Sequence, residues 1–145
     1  METPASTSKL RANAPEGRKR FPIKKIREEV LRDASYPVHR IADKLLPFLR
    51  VLVEQFHPEQ GILFGSFAYG SPDQDSDVDL LVVKAIDRSQ TADATAIRKA
   101  FRPLRHLVAN FPLDIMVRAP EDLKSRIERG SSFHSEIARK GLVLI

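Results

Sequence analysis

Gly65 to Val83 reads GSFAYGSPDQDSDVDLLVV. Its two ends decide how the rest of the chain is read. The Gly-Ser pair follows the apolar run Gly61-Ile-Leu-Phe64, and Asp77-Val-Asp79 opens the next apolar run, Leu80 to Val83. Short runs rich in valine and leucine between turn residues predict two strands, over Gly61–Gly65 and Val78–Val83. Gly70 to Ser76, GSPDQDS, is turn chemistry between them. In a strand, residues i and i+2 share a face, so Asp77 and Asp79 project into one volume. Two carboxylates held together repel unless protons or a cation neutralise them.

The surrounding patterns are helical. Ile23, Ile26, Val30 and Leu31 recur at helix spacing and predict a helix to about Ala34. A second begins near Val38 and carries Ile41, Leu45, Phe48, Leu49, Leu52 and Phe56. Pro47 stands inside it and predicts a kink or a restart, because proline lacks the backbone donor. Thr91–Asn110 repeats the pattern with Pro103 inside, and Leu113–Val117 is a third strand. Ala119-Pro-Glu-Asp122 is a helix start, and Ser131–Lys140 a further short helix capped by Gly141. Leu142–Ile145 is a candidate last strand. Strands alternating with helices predict an α/β (α+β) domain, a small mixed sheet flanked by helices.

The chain has 145 residues, 42% of them hydrophobic, enough for one core. No apolar run approaches the roughly 20 residues that span a bilayer, and no secretory pattern opens the chain. Cysteine is absent, which excludes disulfides and thiolate metal sites and fits a cytoplasmic protein. Residues 1–50 carry 12 Lys/Arg against 6 Asp/Glu, whereas the remainder carries 12 against 13. The basic excess therefore sits in the N-terminal third. Residues 1–22 are expected to be a flexible basic arm, with nucleic acid as a lesser candidate partner, and residues 23–145 to be the folded domain.

Within the domain, two kinds of chemistry are expected from the Gly65–Val83 segment. Free N–H groups after Gly65, with the Ser66 hydroxyl, suit a phosphate. Asp77 and Asp79 suit a hard cation such as Mg²⁺. Asp114 stands alone in FPLDIMV, where a buried charge is costly without a partner, and is best explained by joining them at a shared cation; the alternatives are that Asp77 and Asp79 cap a turn and that Asp114 lies on a wet strand edge. The four histidines share no metal-ligand spacing and are expected at the surface or in helix packing. Lys84 and Arg118, at strand ends, are expected to be exposed.

Phe64-Gly65-Ser66, a spacer, then Ser76-Asp77-Val-Asp79-Leu80 resembles the signature of the DNA polymerase beta-type nucleotidyltransferase superfamily. It is most similar to the minimal nucleotidyltransferase branch, as is Phe133-His-Ser-Glu-Ile-Ala-Arg-Lys-Gly-Leu-Val-Leu-Ile145. The resemblance covers roughly residues 40–145 and implies a nucleotidyltransferase fold. It implies that Gly65, Ser66, Tyr69 and Ser76 meet the nucleotide, that Asp77, Asp79 and Asp114 hold one or two Mg²⁺ ions, and that Asp114 serves as base. The reaction implied is transfer of a nucleoside monophosphate, AMP from ATP, to a hydroxyl. A unit this small resembles the antitoxin of a two-component toxin–antitoxin system with a helical HEPN-type partner protein. Many members carry Arg where this chain has Tyr69. A binding module of the same fold, weakly catalytic or not at all, is the alternative.

Overall fold

A computed structural model describes residues 24–109 and 111–145; the basic arm expected over residues 1–22 lies outside them. Four strands form one mixed sheet: β1 (Gln60–Phe64), β2 (Val78–Val83), β3 (Leu113–Arg118) and β4 (Leu142–Val143), in the order β3-β2-β1-β4. β1 runs antiparallel to β2 and β4, and β2 runs parallel to β3. The expected α/β class with a small mixed sheet flanked by helices is what the chain adopts.

Strand alternation sorts side chains into two layers. Val78, Leu80 and Val82 of β2 join Leu63, Ile115 and Val117 in the larger core. That core is filled from α2 (Ala42–Val51) by Leu45, Phe48 and Leu49, and from α4 (Gln90–Phe101) by Ile97 and Phe101. The opposite face of the same strands presents Ile62, Phe64, Leu81 and Val83. Ile137 of α6 (Ser132–Lys140) and Leu123 of α5 (Pro120–Glu128) cover it. Asp79 and Asp114 sit on this second face, at the end of the sheet where β1 finishes.

Two helix expectations change. The helix expected over residues 23–34 is a single turn, α1 (Glu28–Leu31). Arg27 gives its backbone N–H to the Leu144 carbonyl at 2.8 Å, so it is tied to the residue just after β4 instead of to a preceding helical turn. An Asp33 carboxylate accepts the Ser35 N–H at 2.8 Å and turns the chain away. The second helical stretch runs unbroken through Pro47, as a 3-10 start (Pro37–Ile41), α2 and a wide last turn (Leu52–Phe56). Pro47 is sixth in α2, so no restart occurs there. By contrast, Pro103 does mark a change: α4 ends at Phe101 and a 3-10 segment follows over Arg102–Val108.

Lys84 corrects the expectation of exposure. It is buried and donates to Asp93 Oδ2 at 2.8 Å and to the Ala85 carbonyl at 2.7 Å. Asp93 also accepts the Asp87 N–H at 2.9 Å. Burial pushes the Asp93 carboxyl up, but the Lys84 ammonium and the backbone donors outweigh it and hold the group below its ordinary range. Breaking such a pair on one side costs about 3–5 kcal/mol. It therefore locks the β2–α4 connection that leads to β3.

Candidate active site

Gly65 ends β1 with φ +77° and ψ −159°, a region that in effect only glycine occupies. A Cβ there would lie 2.5 Å from Asp79 Oδ2. Gly65 is thus glycine for two reasons, its backbone angles and the carboxylate against it. One helical turn, α3 (Ser66–Tyr69), follows. The Gly65 carbonyl accepts the N–H groups of Ala68 and Tyr69, at 3.0 and 3.1 Å, which leaves those of Ser66 and Phe67 without a partner among the described residues. Two free donors and the Ser66 hydroxyl are the feature expected for a phosphate.

The carboxylates come together by register. Asp79 faces Phe64 on β1 and Asp114 on β3, so the two aspartates are cross-strand neighbours on one face. They share an open cavity of about 390 Å³ with Phe64, Ile115, Met116 and Phe133. Asp77 stands one residue before β2 and acts on Asp79 through its charge. Burial, then Asp114, then Asp77 raise the Asp79 carboxyl above its ordinary value. No Lys, Arg or His among the described residues forms an ion pair with any of the three.

A hard, all-oxygen donor set with mutual repulsion and no protein cation fits a divalent ion of the Mg²⁺ kind. Asp79 and Asp114 line the cavity together, with Asp77 beside them. Among the described residues, however, no three Asp, Glu, His or Cys side chains converge as a ready metal cluster. The remaining oxygen ligands must come from elsewhere, as they do where Mg²⁺ is held by one or two carboxylates plus substrate phosphates.

Other residues singled out in the sequence are engaged locally. Ser76 Oγ accepts the Asp73 N–H at 2.8 Å and donates to Asp73 Oδ1 at 3.3 Å, fixing the turn before Asp77. Tyr69 is 38% exposed, and its hydroxyl donates to Glu136 Oε2 of α6 at 3.4 Å. The Lys140 ammonium lies 5.7 Å from its ring centre. Position 69 thus carries a contact to α6.

Arg118 is half-buried, not exposed: it donates to the Val117 carbonyl at 2.9 Å and to His134 Nε2 at 3.4 Å. That assigns the proton of the buried His134 to Nδ1, which faces Ser131 Oγ at 2.8 Å. Burial, then Arg118 and Arg126, lower its pKa, so it packs as a neutral ring.

Phe133 is the residue that sequence reasoning missed. It is 46% exposed, meets Phe64 edge-on with ring centres 5.8 Å apart, and walls the carboxylate cavity. An exposed phenylalanine at the start of a short amphipathic helix carries no local signal of its role. Only the packing of α6 on the second face brings it to Asp79.

The family model described as a nucleotidyltransferase domain matches residues 43–140, so the chain belongs to the nucleotidyltransferase family. The match spans β1, the Gly65-Ser66 turn, all three aspartates and α6. A search of the curated proteins found no match. Among the described residues no helix is long and apolar enough to cross a membrane.

Proposed function

We propose that residues 23–145 act as one Mg²⁺-dependent domain that transfers AMP from ATP to a hydroxyl of an acceptor protein. The observation that carries this reading is the pairing of Asp79 and Asp114 in one open cavity, beside the free N–H groups of Ser66 and Phe67 and with no ion-pair partner among the described residues. Ser66 and the N–H groups of Ser66 and Phe67 bind the phosphates. Asp79 and Asp114, assisted by Asp77, hold the cation. When bound, it supplies charge neutralisation for the triphosphate and the leaving pyrophosphate. The exposed Asp114 takes the proton of the acceptor hydroxyl. The hydroxyl oxygen bonds to the α-phosphorus, the α–β bridging bond breaks, and pyrophosphate leaves with its electron pair. Phe133 offers its ring to the base.

The resemblance to minimal nucleotidyltransferases supports a helical HEPN-type acceptor and an antitoxin role in the cytoplasm. A second reading, neutralisation of the partner by contact alone, is favoured by Tyr69, whose hydroxyl is turned to Glu136 where many members carry arginine. The double variant Asp77→Asn/Asp79→Asn separates the two. It is expected to keep its fold and lose transfer of label from ATP, with the partner no longer gaining the mass of AMP. Unchanged transfer would overturn the site assignment; loss of label with full neutralisation would favour contact alone.

A further inference from the structure

A second cavity, also about 390 Å³, opens beside the edge strand β3. That size lies within the range of about 300–1,000 Å³ typical of ligand sites. Phe48, Phe101, Val108 and Leu113 form its apolar floor, and Arg98, Arg102 and Arg105 stand around it. All three arginines are exposed, and none forms an ion pair among the described residues. Arg98 also donates to the Ile115 carbonyl at 3.0 Å, so the arginine row is anchored to β3 one residue past Asp114.

The spacing of the row is regular. Arg98 to Arg102 is one α-helical turn, a rise of about 6 Å. Arg102 to Arg105 is one 3-10 turn, again about 6 Å. Carboxylates four residues apart on a helix also step by about 6 Å. Leu113 lines the cavity on the larger-core face of the sheet, while Asp114, the next residue, lines the carboxylate cavity on the opposite face, so the two sites meet only across the β3 edge.

We infer that this cavity docks an acidic, amphipathic segment of the acceptor protein. Its apolar side chains rest on Val108, Pro112 and Leu113, the accessible apolar part of the lining, and its glutamates or aspartates pair with Arg102 and Arg105. The inference rests on the reading of the chain as a protein-modifying transferase. A nucleic-acid strand fits less well, because base stacking needs open aromatic faces, and Phe48 and Phe101 are only 1% and 7% exposed.

The test uses the full chain without nucleotide or Mg²⁺. The probes are a labelled amphipathic helical peptide with leucines flanked by glutamates four residues apart, its lysine counterpart and a single-stranded RNA oligonucleotide. Fluorescence anisotropy should show binding of the glutamate peptide over the lysine one. Arg102→Gln/Arg105→Gln should weaken it roughly tenfold, about what two surface ion pairs supply, with an unchanged melting temperature. Asp77→Asn/Asp79→Asn should bind the peptide as the unaltered chain does. Absence of glutamate-peptide binding, equal binding by the arginine variant, or loss of RNA affinity in place of peptide affinity overturns the proposal. Docking that persists while no acceptor is ever labelled overturns the transferase reading and leaves the docking site standing.

Discussion

Replacing Gly65 with alanine adds one methyl group where the structure leaves no room. That methyl lies 2.5 Å from Asp79 Oδ2, about 0.9 Å short of ordinary contact. The backbone, at φ +77° and ψ −159°, adds a separate penalty of about 1–3 kcal/mol. Overpacking against the carboxylate adds about 1–3 kcal/mol more. At about 3 °C per kcal/mol for a chain of this size, the melting temperature should fall by roughly 6–18 °C. Gly130→Ala is the control for a positive φ without a clash: its φ is +90°, and nothing lies within 4 Å of the added Cβ. It should lose only about 1–3 kcal/mol, or roughly 3–9 °C. Gly65→Ala must also displace the Asp79 carboxylate by close to 1 Å, which should cost on the order of 100-fold in AMP transfer. Thermal melts followed by circular dichroism, with transfer measured from labelled ATP, read both effects. If Gly65→Ala melts no lower than Gly130→Ala and transfers normally, the steric argument for Gly65 is wrong.

Two further outcomes follow from the burial of Lys84 and the position of Phe133. Lys84→Met should destabilise the fold at pH 7 by about 3–5 kcal/mol, since it strands the buried Asp93 carboxylate. In the unaltered protein Asp93 titrates below its ordinary value of 3.8, so its contribution is present above that pH and is lost as pH falls below it. In the variant burial is opposed only by the Asp87 and Arg88 N–H groups, so that pKa moves up from its unaltered position and the defect should shrink as pH falls through it; a defect independent of pH in thermal melts would contradict this. The chain contains no tryptophan, so Phe133→Trp creates a single reporter. ATP should change its emission while inorganic triphosphate leaves it unaltered, and an equal response to both would remove Phe133 from the base site.

Much of this architecture was legible because it depends on local chemistry. β1, β2 and β3 are bounded by turn residues and built from apolar runs, and all three emerge where the pattern puts them. The acidic pair and the Gly-Ser turn could be read as one site because both adjoin those strands in sequence. Asp114 could be attached to it only by treating a lone carboxylate in an apolar strand as a buried charge that needs company; the residue is exposed on the edge strand β3, so burial is not what places it there. The register of β2 with β3 supplies that company by setting Asp79 opposite Asp114.

The chain's pattern of apolar spacing, turns and charge thus decided the fold class, because that follows from periods of 2 and 3.6 along the backbone; it offered three aspartates as one centre, and the register sets two of them, Asp79 and Asp114, side by side. Tertiary structure decided what periodicity cannot carry. It shortened the first helix by giving the Arg27 N–H to Leu144, and it buried Lys84 against Asp93. It turned Tyr69 toward Glu136, and it brought Phe133 to the mouth of the aspartate cavity. In each case the partner is remote in sequence or set by how a helix packs on the sheet, and only the closed fold brings the two groups within reach.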